Sequence, residues 1–351
     1  MPDIKELSLE ELKERFNAAG IRPFHAEQVF AWIYRKMAGT FRDMSDLPAS
    51  LREYLSSDFS IYNSVVAHRL VSRDGTVKLL SELADGNMIE SVLIPTERRM
   101  TGCISVQAGC GLRCAFCASG ALGLERNLNC GEILEQVCRL QKEAGGRLTH
   151  LVFMGTGEPF NNYDNLIKAV RIINSKESFH IGARRITIST SGILPGIARL
   201  AGEGLQVELS VSLHAADNEI RSRLMPVNEI YPLSRLLAAC RVYSRKTGRQ
   251  VTFEYILIKG INSSLPNAVK LCKMLKGMGC KVNLIPLNPL PSMEWRPPSA
   301  AETAVFSSFL RRQGIQATVR QPRGRDIEAA CGQLRLQYAQ NRQVERCVKS
   351  Q

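Results

Sequence analysis

Cys110, Cys114 and Cys117, in the run CGLRCAFC, are separated by three and then two residues. Thiolates this close on one loop can wrap a single metal centre, and as soft ligands they suit iron–sulfur clusters or zinc. A structural zinc takes four ligands, usually from a second Cys or His pair, and no second pair of that kind is evident. Three thiolates on a cubic four-iron cluster leave one iron open. An open iron is what a chelating substrate requires, so the motif favours a cluster over zinc.

Polar and small residues end three consecutive predicted strands. Gly155-Thr156-Gly157-Glu158-Pro159 comes first. Small residues there let a ligand approach the backbone, and a carboxylate can accept from an ammonium group. Ser189-Thr190-Ser191-Gly192 and Ser212-Leu213-His214 follow at the next two strand ends. Hydroxyls and a histidine in such places form either a ligand rim or ordinary helix caps.

Strands and helices must alternate to present these groups. The patterning predicts strands at 102–106, 148–154, 185–189, 207–213, 251–258, 281–285 and 316–319. Helices are predicted between them at 130–142, 162–174, 195–201, 232–247, 265–276 and 300–312. This order makes an α/β fold with a parallel sheet or barrel. Six units are too few for an eight-unit barrel, so the expected architecture is a partial (β/α)6 barrel over residues 100–325. Chemistry in such folds sits on loops after the strand C-termini. Residues 1–62 read as a small helical domain, with Leu7, Leu9, Leu12 and Phe16 on one face, Ser8 as cap and Glu11 as its partner. A second helix is expected around 26–36. Residues 63–99 read as a β-hairpin connector turning at Asp74-Gly75 and Asp85-Gly86, and 326–351 as a C-terminal segment.

The chain has 351 residues, 44% of them hydrophobic and 23% charged. That is a soluble globular composition, which excludes disorder and fibre. No uncharged apolar run reaches the roughly 18 residues of a membrane span, and the acidic, amphipathic N-terminus is no secretion signal. Eleven cysteines, an odd number in so long a chain, point to a reducing cytoplasm and to thiols kept for metal or catalysis. The net charge is +13, unevenly placed: residues 1–62 carry 8 Lys/Arg against 10 Asp/Glu, and residues 311–351 carry 9 against 3. A basic C-terminal segment suits a polyanionic partner, most commonly nucleic acid.

With these features together, the chain resembles the radical S-adenosylmethionine (radical-SAM) adenine methyltransferases of ribosomal RNA, the RlmN/Cfr family, over essentially its whole length. CxxxCxxC with Phe116 before the last Cys is the signature of radical-SAM enzymes. QVFAWIY, IESVLIP, CISVQAGCGLRCAFCASG, VFMGTGEP, SVSLH, RLMPVN, VTFEYILIKGIN, NLIPLNP and RGRDIEAACGQLR carry the rest, the last placing Cys331 in a fixed frame. Pro159 after Gly-Glu, FEYILIKG and LIPLNP are similar to the housekeeping RlmN branch, which methylates adenine C2, rather than the resistance-conferring Cfr branch, which methylates C8. Two positions depart from the family pattern: Thr156 stands in place of Met and Ser119 in place of Thr.

The resemblance implies a radical-SAM partial barrel with one [4Fe-4S] cluster on Cys110, Cys114 and Cys117, and two SAM molecules per turnover. Gly157, Glu158, Ser189, Ser212, Leu213, His214 and Asn288 would line the SAM site. The implied target is adenosine 2503 of 23S rRNA, in the peptidyl-transferase centre, reached before ribosome assembly is complete. Some members also modify an anticodon-loop adenosine of tRNA. A flavodoxin-type donor would supply electrons. Adenine C2 is an electron-poor amidine carbon, so polar transfer of an electrophilic methyl is mismatched to it and a radical route is not. In the implied mechanism Cys331 takes a methyl from one SAM, and a 5′-deoxyadenosyl radical from the second activates it. The carbon adds to adenine, one electron leaves, Glu90 strips the ring proton, and Cys103 resolves the protein–RNA adduct by displacing the Cys331 sulfur as a disulfide. A stacked adenine hides its C2, so unfolded RNA or a flipped base is required.

Without the family, Cys103 reads as a buried strand cysteine, Cys331 as an ordinary helix cysteine and Glu90 as an exposed strand residue. Cys130, Cys138, Cys240, Cys272, Cys280 and Cys347 read as small apolar fillers. An RNA-binding scaffold with a structural metal accounts for the charge and the three cysteines, but not for Cys331 or the strand-end rim. A radical-SAM enzyme of small molecules fits +13 less well.

Overall fold

The computed structural model describes residues 1–289, 293–321 and 323–327, with residues 334 and 338. Three helices open the chain, α1 (Leu9–Ala18), α2 (Phe24–Tyr34) and α3 (Ala49–Asp58). At the start of α1 the Glu11 N–H donates to Ser8 Oγ, and the Ser8 N–H donates to the Glu11 carboxylate. This reciprocal cap, with Leu9, Leu12 and Phe16 buried, is what the spacing predicts. The helical unit is tied down from below. Lys5, 2% exposed, pairs with the buried carboxylate of Glu135 and donates to the Tyr62 carbonyl.

Four antiparallel strands follow, β1 (Val65–Val71), β2 (Val77–Glu82), β3 (Met88–Thr96) and β4 (Arg99–Cys103). A separate ribbon of β5 (Gln107–Gly109) and β6 (Leu124–Asn127) encloses the short α4 (Ala118–Ala121). Then come α5 (Cys130–Glu143), β7 (His150–Phe153), α6 (Tyr163–Asn174), β8 (Ile186–Thr190), α7 (Leu194–Leu200) and β9 (Glu208–Ser212). Next are α8 (Asn218–Leu224), α9 (Val227–Ile230), α10 (Leu233–Thr247), β10 (Val251–Leu257), α11 (Leu265–Leu275), β11 (Cys280–Pro286), α12 (Ala300–Arg312) and β12 (Gln316–Val319).

Ten strands form one sheet in the order β1-β2-β3-β4-β7-β8-β9-β10-β11-β12. From β4 to β12 every pairing is parallel, and each of the six crossovers carries at least one helix: the partial (β/α)6 barrel that the alternation predicts. The β-hairpin region is hydrogen-bonded into that sheet through β3 and β4, so it extends the barrel sheet and does not hang from it. The first barrel strand sits earlier than expected, ending at Cys103. Beyond it Ser105 N–H donates to Gln136 Oε1 and Val106 N–H to the Thr156 carbonyl, so the chain leaves the ladder while its apolar side chains stay in the core.

The two faces of the parallel sheet differ. Ile186, Ile188, Leu209, Val211, Phe253, Tyr255, Val282 and Leu284 form one apolar core with the helices. Register puts Ser189 opposite Ser210, Ser212 opposite Glu254, and Glu254 opposite Asn283 on the other face. Parallel sheets covered by helices on both sides are apolar on both; a polar inner face marks the side that receives a ligand. Among the described residues no helix is long and apolar enough to cross a membrane.

Candidate active site

The three cysteines lie on a loop clipped at its base by the β5–β6 ribbon. Cys110 N–H donates to the Gly123 carbonyl at 2.8 Å. Gly109 has φ of +90°, and a Cβ there would collide with that same carbonyl, so only glycine closes the clip. Within the loop Cys117 N–H donates to the Cys114 carbonyl at 3.0 Å, and Ala115 N–H donates to the Leu224 carbonyl of α8 at 2.9 Å. Leu112, Cys114 and Phe116 pack on a small core of Leu224, Met225, Ile258 and Leu287. Cys110, Cys114 and Cys117 are all half-buried. Beside them opens a cavity of about 810 Å³, bounded by Arg113, Cys114, Cys117, Leu122, Met293 and Trp295.

The strand-end residues do not line that cavity; they surround the C-terminal ends of β7 to β11. Gly155 and Gly157 leave room for a close approach, but the protein itself fills it. A Cβ on Gly155 would meet the Ile104 carbonyl and Ser105 N at 2.6 to 2.7 Å, and one on Gly157 would meet Gln107 at 2.5 Å. Glu158 is 2% exposed. Its Oε1 accepts from Thr190 Oγ1 (2.7 Å) and Phe160 N–H (3.1 Å), and its Oε2 accepts from Ser191 N–H (2.7 Å). Burial raises its pKa while these donors oppose the rise. These donors tie the ends of β7 and β8 together.

His214 ends the next strand with φ of +59°. Its Nδ1 accepts from the Ile256 N–H at 3.0 Å, so the neutral ring carries its proton on Nε2. Burial, seconded by the charge of Arg221, lowers its pKa to about 3, and its ring meets Phe116 edge-on at 4.8 Å. The strand-end rim and the cysteine loop are therefore in contact. Leu213 is buried, Ser189 and Ser212 are half-buried on the polar face, and Asn288 is exposed two residues beyond β11.

Cys103 and Glu90 lie on one sheet face. Val92 is the register partner of Cys103, and Glu90 lies two residues from Val92 on the same face. Both are buried, Cys103 4% and Glu90 3% exposed. The reading of Glu90 as exposed is corrected here: β3 is an inner strand of the sheet, paired on both edges and buried on both faces from Met88 to Leu93. The sequence reasoning also missed Lys78. It is fully buried on β2, with Nζ 2.9 Å from Glu90 Oε2; its place opposite Val92 follows from the hairpin register once the Asp85-Gly86 turn is fixed. Cys331 and Cys347 lie outside the described residues.

Comparison with known proteins fits this arrangement. The model of the Radical SAM superfamily matches residues 104–272, and that of the ribosomal RNA large subunit methyltransferase N-terminal domain matches 2–61. A Geobacillus kaustophilus protein named probable dual-specificity RNA methyltransferase RlmN is 46% identical over 338 residues, 95% of this chain and 93% of that one. A Clostridium novyi protein of the same name is 44% identical over 342 residues, 97% of this chain and all of that one. The chain belongs to the RlmN family. It is a radical-SAM methyltransferase, and the crystal structure of a radical SAM methyltransferase from Sphaerobacter thermophilus is similar to it throughout. The TM-score is 0.91 at 46% identity, covering 95% of this chain and 99% of that one.

Radical-SAM membership implies SAM and a [4Fe-4S] cluster, and the RlmN-type loop has the donors to hold the latter. Among the described residues no three His, Cys, Asp or Glu gather as for a single ion. A polynuclear cluster needs no such common centre, since each thiolate takes its own iron. Burial pushes the Cys110 thiol up to about 11 and the Cys114 thiol higher, each raised further by the neighbouring cysteines. Thiols that resist ionising alone become good ligands when a metal supplies the positive charge.

Proposed function

We propose that this RlmN-family enzyme methylates C2 of an adenosine in 23S rRNA, the family target adenosine 2503, and an anticodon-loop adenosine of tRNA as a second substrate. The observation that supports this reading is that Glu90 and Cys103 share one buried face of β3 and β4. A scaffold with a purely structural metal has no need of a carboxylate and a thiol buried together on one sheet face.

Cys110, Cys114 and Cys117 would hold the cluster, which when bound supplies the electron that cleaves SAM. Glu158 would accept from the SAM ammonium, and Gly157, Ser189, Ser212, Leu213, His214 and Asn288 would shape the rest of its pocket. Cys331 thiolate accepts a methyl from SAM by displacement, so the carbon destined for adenine first sits on protein sulfur. The second SAM, once cleaved, would take a hydrogen atom from that methyl, the carbon would add to C2, and the adduct would give one electron back; Glu90 then takes the C2 proton, its carboxylate oriented by Lys78. Cys103 then attacks the Cys331 sulfur: an S–S bond forms, the S–C bond breaks, and the freed carbon gains a proton to become the methyl group. The attacking group must be the thiolate. The helical domain and the basic segment after residue 311 would grip RNA, and a flavodoxin-class donor would supply electrons.

The test is nucleoside mass spectrometry of RNA treated with the anaerobically reconstituted protein and SAM. The reading expects 2-methyladenosine; 8-methyladenosine as the main product would move the protein to the other branch of the family.

A further inference from the structure

Arg221 of α8 is 0% exposed, and its hydrogen bonds are complete. Nε donates to the Leu213 carbonyl (3.2 Å), Nη1 to Asn228 Oδ1 (3.0 Å) and the Tyr231 carbonyl (3.2 Å), and Nη2 to the carbonyls of Ser191 (2.8 Å) and Ser212 (3.1 Å). A guanidinium has five N–H donors, so none is left for a ligand. None of the five acceptors is a carboxylate. A buried cation without a counter-charge is costly, and so many neutral acceptors solvate the charge without cancelling it.

The cysteine loop lies on the C-terminal end of the same helix. The C-terminal carbonyl of α8, on Leu224, accepts from Ala115 N–H between Cys114 and Cys117, and Leu224 packs against Leu112, Cys114 and Phe116. One side chain thus joins the loops after β8 and β9, the turn after α9, and the platform on which the cysteines sit.

We propose that Arg221 is a positioning residue whose buried charge neutralises the thiolate-bound cluster and favours its reduced form. Adding an electron makes that assembly more negative, and a fixed cation nearby stabilises the added charge more than the original one. No N–H of Arg221 needs to touch SAM, cluster or RNA for this.

The inference rests on reading Cys110, Cys114 and Cys117 as cluster ligands. Its test is a redox titration of the reconstituted cluster, followed by electron paramagnetic resonance, in the full-length protein with iron content measured alongside. Arg221→Met removes the charge. Arg221→Lys keeps it but loses the fork. Asn228→Asp keeps the guanidinium and the acceptor oxygen but adds a carboxylate partner, so it decides the matter should Arg221→Met not fold. Arg221→Met and Asn228→Asp should each lower the reduction equilibrium constant at least tenfold, about 59 mV for a one-electron couple, and Arg221→Lys by much less. A potential unmoved in Asn228→Asp at wild-type iron content, or moved alike in Arg221→Lys and Arg221→Met, overturns the proposal. Wild-type protein that takes up no iron overturns the ligand reading instead.

Discussion

The hydroxyls of Ser119 and Thr156 lie 3.4 Å apart, and both residues are buried. They are the two motif positions at which the resemblance leads one to expect Thr and Met, and the fold makes them neighbours, joining α4 to the segment after β7. A longer side chain at one must be met by a change at the other. Thr156→Met alone should overpack the contact and cost about 1–3 kcal/mol in denaturant unfolding. Combined with Ser119→Thr, the cost should differ from the sum of the single changes by at least about 0.5 kcal/mol; additive behaviour would show the two sites to be independent.

His214 makes a second prediction, in pH. The folded ring stays neutral down to about pH 3, against an ordinary value of 6.5. Below 6.5 the unfolded chain binds the extra proton, so this group's contribution is complete above pH 6.5 and is lost as pH falls toward 3. His214→Asn tolerates the positive φ and still offers an acceptor to Ile256. Between pH 6.5 and 5 the wild type should lose roughly 1.5 kcal/mol more stability than this variant. Parallel stability curves would contradict the assignment.

The cysteine loop yields a third prediction. Anaerobic protein should be brown and hold about four irons with as many sulfides. Alanine at Cys110, Cys114 or Cys117 should remove the colour while shifting the melting temperature little, because the loop is clipped by β5 and β6 and half-buried. Stoichiometric zinc without sulfide would sink the cluster.

Much of this architecture is legible in the residues, and the exceptions have physical reasons. The Ser8–Glu11 cap is a local signal and survives folding intact. So do β10 and β12, whose apolar face alternates cleanly with polar residues. The helix α3 is harder to see: it starts behind Pro48 without a side-chain cap and buries only Leu51 and Leu55. Glu90 reads as exposed because a carboxylate in a strand usually faces water; its burial depends on Lys78 arriving from β2, which is a tertiary event. Arg221 carries no local signal at all, since its five acceptors come from four separate segments. The glycines of Gly155–Pro159 do mark a close approach, but the sequence could not name the approaching partner, the chain's own Ile104–Gln107.

One gel tests the proposed division of labour between Cys103 and Cys331. Cys103→Ala should still accept the methyl and join carbon to adenine, but with no thiol to displace the Cys331 sulfur the protein must stay bonded to RNA. Incubated with SAM, reductant and RNA, it should run as a shifted band under denaturing conditions, and adding Cys331→Ala should abolish that band. A Cys103→Ala protein that is inactive yet forms no covalent RNA species, while its cluster and fold are intact, would contradict the mechanism.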